Sequence, residues 1–435
     1  MLTTLAFALF FIIYPIVPHS PDITPLKVAM LCLTLVLLGT WLARKAAVHR
    51  WFRQFPEYRW ILAFFGYLCF SPFLGSVYDF SVLDWARDIA PLLNILLIPA
   101  LANFFEKQTN RQLIYLILFI AFLGEIQAII SASSKGGFEV PEMLLEYSIP
   151  TFPPSLVLGL SLIMFLCNVR PKWVWILFAT TNLIMASLST GRTIWISTAL
   201  VGLSTYFFVS KRHTFRIIAI SFVVFLAFCG FMFLYNEEIQ DFQQRRFYQA
   251  VDYMEDLSIQ NRMDEVIQTG ELFLSSPIYG VGFGYQYDFW RHWVGDVGGS
   301  GYIDSNFTHS DIMYIASKGG IIGLFLFIIM IYKLGKRLYF IKKTAINNNV
   351  LAWSNIALLA LTASIVIGQS VPLFQYRNGT LMLVVFIGYA LGAYSDAKRA
   401  DPVPSSLPGR SSHERVLFAL RPCKTWGSPY PILHR

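Results

Sequence analysis

The stretch "SNFTHSDIMYIASKGGIIGLFLF", residues 305–327, begins as a polar segment and ends as an apolar helix. Its single histidine, His309, stands where the polar part meets a run too hydrophobic for water. Similar apolar runs recur along the 435-residue chain, which is 55% hydrophobic and only 14% charged, with a mean hydropathy of +0.54. Membrane helices need about 20 apolar residues, whereas the strands of a β-barrel are shorter and alternate. The sequence therefore predicts an all-α polytopic membrane protein.

The apolar runs predict about twelve transmembrane helices. The segment before Pro18 has no basic region in front of it, so we interpret it as the first span rather than as a cleaved signal. The predicted spans are residues 2–18, 24–43, 59–77, 88–105, 111–131, 149–167, 172–188, 191–209, 215–235, 309–332, 350–369 and 378–395.

The positions of the basic residues orient these spans. With the N-terminus inside, most of the 34 Lys and Arg residues fall in cytoplasmic loops or in the C-terminal tail, as membrane insertion favours. Both termini are then cytoplasmic. The predicted organisation is nine transmembrane helices in 1–235, a large periplasmic loop with short helices in 236–308, three transmembrane helices in 309–395, and a disordered cytoplasmic tail in 396–435.

The predicted periplasmic loop is acidic on balance and contains two local patterns. Apolar residues between Ser258 and Leu274 recur near helical spacing, with Ser258 as a candidate N-cap. "GVGFG", Gly280–Gly284, is not followed by the Lys-Ser/Thr of a nucleotide-binding loop, and no strand–helix unit frames it. We interpret it as a tight turn that directs the loop back to the membrane.

Arg192 in "SLSTGRTIW" is predicted to lie in the first turn of the eighth span. A cation there opposes the helix dipole unless an anion joins it. Backbone N–H groups, the hydroxyls of Ser189 and Thr190 and the guanidinium group would together form a phosphate site. The alternative is an arginine that extends to the lipid head groups.

Two more basic residues are candidates for chemistry. Arg262 lies in "SIQNRMDEVIQTG", where the alternative to a binding role is a surface ion pair with Glu265. His309 opens the tenth predicted span, and histidine can take or release a proton near neutral pH. Its alternative role is that of a helix-capping or interfacial histidine.

Carboxylates in the early outer loops provide a different hypothesis, namely a metal site or a catalytic base. No metal-ligand spacing accompanies them, so we predict no metal site. These residues are Asp79, Asp84 and Asp88 in one loop, and Asp22 with His19 in another.

Three elements together resemble the O-antigen ligase and O-antigen polymerase family. They are "SLSTGRTIW" at the start of a span, "NRMDEVIQTGELFLSSPIYGVGFG" in the large outer loop, and "HSDIMYIASKGGIIGLFLF" at the start of the next span. The family pattern is a Ser-rich S-x-x-R, an Arg helix leading to P-x-x-G-x-G-x-G, and a His followed by G-x-x-G. This chain has Ser310 where the family usually has Asn after the histidine, and Thr190-Gly191 where a second Ser is common.

The resemblance implies a glycosyltransferase of the bacterial inner membrane that acts at the periplasmic face, without a cofactor or metal and with inversion at the anomeric centre. The donor would be a glycan on undecaprenyl diphosphate, and the acceptor a second glycan or lipid A-core. Arg192 and Arg262 would hold the diphosphate while His309 activates the acceptor hydroxyl. Secondary candidates for substrate contacts are Arg245, Arg246 and Arg291.

The partners implied are these substrates, membrane lipids and a chain-length regulator, with no role for nucleic acid. Ligase and polymerase share the same chemistry, and the sequence does not separate them. A transporter or flippase without chemistry is the alternative from another class, because such proteins also have about twelve spans. A metal-dependent transferase that uses the early aspartates is the third hypothesis.

Overall fold

The computed structural model describes residues 25–75, 82–106, 154–167, 172–188, 201–202, 205, 257–291, 301–305, 308–345, 347–369, 374–375 and 377–400. Within these ranges the chain is mostly helical. The helices, numbered as they occur among the described residues, are α1 (Pro25–Leu42), α2 (Lys45–Gln54), α3 (Tyr58–Gly75), α4 (Val82–Leu93), α5 (Ile98–Phe105), α6 (Pro154–Leu166), α7 (Lys172–Leu188), α8 (Leu257–Ser275), α9 (Asp311–Lys343), α10 (Asn348–Ile367) and α11 (Arg377–Ala400).

Four of the described helical segments are long and apolar enough to cross a membrane, so the chain is a multi-pass membrane protein. They are Val82–Phe105, Asp311–Lys343, Asn348–Val366 and Gly379–Arg399. The first combines α4 and α5 through a 3-10 turn, Asn94–Leu97, that follows Pro91. Proline interrupts regular helical hydrogen bonding, which accounts for the local change of helix type.

Several predicted spans coincide with described helices, while others lie outside the described residues. Helices α1, α3, α6, α7, α10 and α11 lie at predicted spans. Residues 2–18, 111–131 and 215–235 are outside the described ranges, as is nearly all of 191–209. The total of twelve spans and the predicted domain boundaries therefore stay predictions.

Helix α9 is longer than the predicted tenth span, 309–332. It continues to Lys343, so the basic residues assigned to a cytoplasmic loop lie on its last turns. At 1.5 Å per residue the part of α9 from Ile321 to Lys343 spans roughly 35 Å, which by itself exceeds the ~30 Å apolar layer of a bilayer. Hydrophobicity marks the part of a helix that lies in lipid, whereas hydrogen bonding continues beyond it.

The predicted periplasmic loop contains a long helix and an unpredicted sheet. Helix α8 includes both Leu257 and Ser258. Ser258 therefore lies inside the helix, and the prediction that it is the N-cap was wrong. Strands β1 (Tyr287–Arg291) and β2 (Gly301–Ser305) pair antiparallel, with Tyr287 opposite Ser305. The ring of Trp290 packs edge-on against that of Tyr302 at 5.2 Å, a cross-strand contact that stabilises such pairs.

The core lies where α3, α5, α9, α10 and α11 meet. Phe327 of α9 contacts Phe64 of α3 at 5.7 Å and Phe374, from the segment before α11, at 5.1 Å between ring centroids. Trp353 of α10 contacts Tyr389 of α11 at 4.4 Å. These rings are buried, and their packing fixes α9 against the other helices. His309 lies two residues before the first residue of α9.

Candidate active site

The backbone on either side of His309 is held by the segment between α10 and α11. The side chain of Gln375 bonds both backbone polar groups of Thr308. Its Oε1 accepts from Thr308 N at 3.1 Å, and its Nε2 donates to Thr308 O at 2.8 Å. Asp311 N donates to Gly368 O at 2.7 Å, and the Asp311 carboxylate accepts from Phe374 N at 3.1 Å. The chain at His309 therefore has a defined conformation.

Ser310 explains why the family's usual Asn is not required after the histidine. It is the N-cap of α9, and its hydroxyl accepts from Met313 N at 3.3 Å while donating to Gln369 Oε1 at 2.8 Å. Serine and asparagine are equally good N-caps, because each offers an oxygen to the unpaired N–H groups of the first turn. His309 itself lies before the helix, two residues earlier than the start of α9.

Glu265 of α8 holds His309 from the other side. Its Oε2 lies 2.7 Å from His309 Nδ1 and also accepts from His309 N at 3.1 Å. Only 2% of the Glu265 side chain is exposed, against 31% of the His309 side chain. An ionised carboxylate only accepts hydrogen bonds, so this contact fits the tautomer with its proton on Nδ1, which leaves Nε2 as the nitrogen that can accept a proton.

The pairing of Glu265 with His309 replaces the ion pair expected between Glu265 and Arg262. The carboxylate uses Oε2 for His309, and Oε1 is buried without a hydrogen-bond partner among the described residues. Arg262 is partly exposed and lies one helical turn before Glu265. Residues three apart on a helix are ~5–6 Å apart at Cβ, so α8 places Arg262 beside Glu265.

A break in α9 positions α8. At Gly320 the backbone leaves the helical conformation, with φ 60° and ψ −166°. The segment 277–282 fills the break: Val281 N and Gly282 N donate to Ser317 O and Lys318 O at 3.0 Å each, while Ile321 N donates to Pro277 O at 2.8 Å. Backbone groups of α9 that lose their helical partners at the break thus bond to the segment 277–282. Buried backbone polar groups need such partners. We call this junction of 277–282 with 317–322 the seam.

Only glycine fits where the two chains cross in the seam. Gly280 and Gly320 both have positive φ, 74° and 60°, and a Cβ on either would overlap the backbone of the opposite segment. Tyr67 of α3 closes the junction, because its hydroxyl lies 2.7 Å from both Tyr279 O and Gly319 O. The prediction that Gly280–Gly284 is a tight turn is confirmed, since Gly282 and Gly284 also have positive φ.

A buried ion pair fastens the seam to α4. Lys318 Nζ pairs with Asp88 Oδ2, each side chain is only 1% exposed, and Asp88 Oδ2 also accepts from Gly284 N at 2.7 Å. The ring of Tyr314 lies 4.9 Å from Lys318 Nζ. Charges removed from water need such a full set of partners. Asp88 thereby connects α4, the glycine turn and α9.

The prediction that Asp84 and Asp88 lie in an outer loop was wrong, because both are in α4. Asp84 pairs with Arg87 at 2.8 Å, and Asp88 is committed to Lys318. The polar residues at the start of α4 are typical of a loop, but here their charges are paired and the segment is helical. Asp79, His19 and Asp22 lie outside the described residues.

For the remaining predicted site residues, the structure describes no side chain. Arg291 is the last residue of β1, and only its backbone is described. Outside the described residues lie Ser189, Thr190, Arg192, Arg245 and Arg246. Their predicted roles therefore stay predictions.

Sequence reasoning missed Glu265 as a site residue and Gln375 as its counterpart on the opposite side. Glu265 was visible three residues after Arg262, but an i,i+3 spacing indicated a local ion pair. Gln375 lies 67 residues from Thr308, in a segment without any catalytic motif. Neither residue carries a sequence signal for contact with the histidine.

The chain was compared with models of protein families. Residues 175–328 match the family model described as O-antigen ligase. The predicted family resemblance is confirmed. The search of curated proteins found no match to this chain.

The O-antigen ligase match includes α8, the seam and the first half of α9, so it contains Arg262, Glu265 and His309. It also includes the position of Arg192. Two of the contacts that fix this region come from outside the match, namely Asp88 of α4 and Gln375 before α11. Residues outside the matched segment therefore help to hold it in its conformation.

Proposed function

We propose that the protein is a lipid-linked glycan transferase, which moves a glycan from undecaprenyl diphosphate to a sugar hydroxyl as an O-antigen ligase or polymerase does. The observation that carries the proposal is the 2.7 Å contact between His309 Nδ1 and the buried Glu265 carboxylate, inside the segment that matches the O-antigen ligase family. A carboxylate that orients an imidazole is a common design for a general base.

In the proposed reaction the acceptor hydroxyl oxygen attacks the anomeric carbon of the donor sugar. A new carbon–oxygen bond forms there, and the bond from that carbon to the diphosphate oxygen breaks. The hydroxyl proton passes to His309 Nε2, while undecaprenyl diphosphate leaves with the bonding electron pair. Glu265 keeps the ring in the tautomer that can accept this proton and stabilises the imidazolium that forms. Attack opposite the leaving group inverts the anomeric centre.

The leaving group needs positive charge as its bond to the sugar breaks. Arginine presents a planar fork of N–H donors that matches phosphate oxygens and keeps its charge. Arg262, which lies one turn from Glu265 on α8, is the first candidate for this role. Arg192 is the second candidate by resemblance to the family, with Ser189 and Thr190 beside it. In this mechanism the arginines replace a metal ion at the diphosphate.

The proposed setting is the periplasmic face of a bacterial inner membrane, where an undecaprenyl-linked donor is presented from the bilayer and an acceptor from water. His309 lies at the N-terminal end of a membrane-spanning helix, and its side chain is partly exposed, as access to both substrates requires. The acceptor is a second glycan in a polymerase, or lipid A-core in a ligase. A chain-length regulator is a proposed partner in the first case.

Incubation of the purified protein in lipid nanodiscs with an undecaprenyl-diphosphate oligosaccharide, with and without lipid A-core, tests the proposal. A ligase produces glycosylated lipid A-core, whereas a polymerase lengthens the oligosaccharide without that acceptor. Both release undecaprenyl diphosphate, which a transporter leaves attached to its glycan. A matched reaction with EDTA tests the metal-dependent alternative, since a metal-free transferase keeps its rate. Absence of released undecaprenyl diphosphate under every acceptor condition would contradict the proposal.

A further inference from the structure

The outward face of α8 is apolar although the helix lies outside the spanning helices. The exposed fraction is 56% for Met263, 56% for Ile267 and 73% for Leu274, and Val266 is also exposed. These residues are spaced by three, four and seven positions, so they form one stripe along the helix. A helix surrounded by water would expose polar residues on this side.

The inward face of the same helix is polar at the level of His309. Glu265 and Thr269 are buried, and the Thr269 hydroxyl bonds to Glu265 O at 2.6 Å. The polar side of α8 thus faces the protein at His309, and the apolar side faces outward. This is the reverse of the pattern in a helix that packs on a soluble domain.

The apolar stripe of α8 continues into the surface of a spanning helix. Beyond Leu274 the chain exposes Ile278 and Tyr279, and Ile322 N of α9 donates to Ile278 O at 3.3 Å. From this junction the exposed apolar residues proceed along α9 at helical spacing. They are Ile321, Phe325, Ile328 and Tyr332.

We propose that the stripe formed by Met263, Val266, Ile267 and Leu274 is a membrane-docking surface, and that its occupant is the lipid of the leaflet nearest to His309. The surface is continuous with the part of α9 that a spanning helix presents to lipid. Apolar side chains on such a surface are stabilised when lipid rather than water covers them.

The position of the seam indicates which end of α8 lies deeper in the membrane. Gly320 follows Asp311 by nine residues, so at 1.5 Å per residue the seam lies roughly 13 Å along α9 from its first turn. The C-terminal end of α8 is joined to the seam and therefore lies deeper than His309. Lipid around this end would bring a phosphate head group to the level of Arg262. That consequence rests on the proposed function, whereas the docking itself does not.

Spin-label accessibility in lipid nanodiscs tests the docking without any measurement of activity. The variants Met263→Cys and Ile267→Cys are made in the full chain with its five native cysteines replaced by alanine. Phe325→Cys on α9 provides the lipid reference. Tyr302→Cys provides the water reference, since Tyr302 is 71% exposed on β2.

We expect labels at 263 and 267 to collide with oxygen rather than with a water-soluble nickel chelate. Their oxygen-to-nickel ratio should be close to that at 325 and several-fold above that at 302. A ratio like that at 302 would overturn the proposal, because the stripe would then face water. Labels at 263 and 267 that neither reagent reaches would also overturn it, because protein would then cover the stripe.

A second measurement does not depend on the cysteine-free background. A photoreactive p-benzoylphenylalanine at position 267 of the otherwise native chain is irradiated in the same nanodiscs and analysed by mass spectrometry. Adducts of the nanodisc phospholipid support the docking surface. Adducts only between two copies of this chain would overturn it in favour of a dimer interface.

Discussion

Glu265 and His309 are separated by 44 residues in the sequence and by 2.7 Å in the fold. They come from different elements, since Glu265 is on α8 and His309 precedes α9. The carboxylate bonds both the ring and the backbone N–H of the histidine. Its own helix is held by the seam, in which α9 opens to receive residues 277–282. The geometry of the pair thus depends on the break in α9.

Replacement of Glu265 with glutamine should lower the transfer rate while the protein still inserts in the membrane. The amide has nearly the same shape but no charge to stabilise an imidazolium, so we expect a loss of about 10²-fold. The measurement is release of undecaprenyl diphosphate by the purified variant. Glu271→Gln is the matched control, because Glu271 is exposed on the same helix. A wild-type rate in Glu265→Gln would remove the carboxylate from the mechanism.

Replacement of Arg262 with lysine should distinguish the guanidinium fork from its charge. If the arginine binds diphosphate oxygens in a bidentate manner, lysine keeps the charge but loses one N–H···O contact, and we expect a loss of roughly tenfold in kcat/KM. Arg262→Ala should lose more. Arg53→Lys is the control, since Arg53 is exposed in the last turn of α2. Equal rates for Arg262→Ala and wild type would show that this arginine does not act.

Alanine at Gly320 should destabilise the seam. The substitution places a Cβ on a residue with φ 60° and directs it at Ile278 O, so we expect a cost above ~2 kcal/mol and a lower Tm of the detergent-solubilised protein. Gly39→Ala is the matched control, because Gly39 is helical and has open space around its Cβ position. There the Tm should stay the same or rise. A Tm of Gly320→Ala equal to wild type would mean that the seam can relax.

The Asp88–Lys318 pair should show strong coupling in a double-mutant cycle. Asp88→Asn or Lys318→Met alone leaves one buried charge without its partner, and each should lower the free energy of unfolding by ~3–5 kcal/mol. The double variant should lose less than the sum of the two. The measurement is reversible unfolding in mixed micelles. Additive losses would indicate that the two charges are stabilised independently.

Substitutions at Ser310 should separate capping from chemistry. Ser310→Ala removes the oxygen that accepts from Met313 N, and we expect a loss of ~1 kcal/mol in stability. Ser310→Asn should retain the cap and the transfer rate, because asparagine offers an equivalent side-chain oxygen. Thermal unfolding and transfer assays on the same preparations measure both. A stable but inactive Ser310→Asn would instead assign a role in the reaction to the hydroxyl.

The spans and the candidate basic residues were accessible from the sequence because each depends on local properties. A run of apolar residues enters lipid wherever it occurs, so α1, α3 and α10 could be predicted from hydropathy alone. The glycine turn was likewise visible, since closely spaced glycines favour positive φ. The start of α4 could not be predicted in this way. Aspartates such as Asp84 and Asp88 are typical of loops, and their pairing with Arg87 and Lys318 is seen only in the fold.

The sequence by itself determined that the chain is a membrane protein, that His309 stands at the edge of a spanning helix, and that short motifs resemble the O-antigen ligase family. Only the tertiary structure decided that Glu265 belongs to His309 instead of Arg262, that α9 opens at Gly320, and that α8 turns its apolar side outward. The physical reason is the distance along the chain over which each interaction acts. Hydropathy and turn preference act between neighbours in the chain, whereas a buried carboxylate bonds whichever donor the packing of distant helices brings within reach.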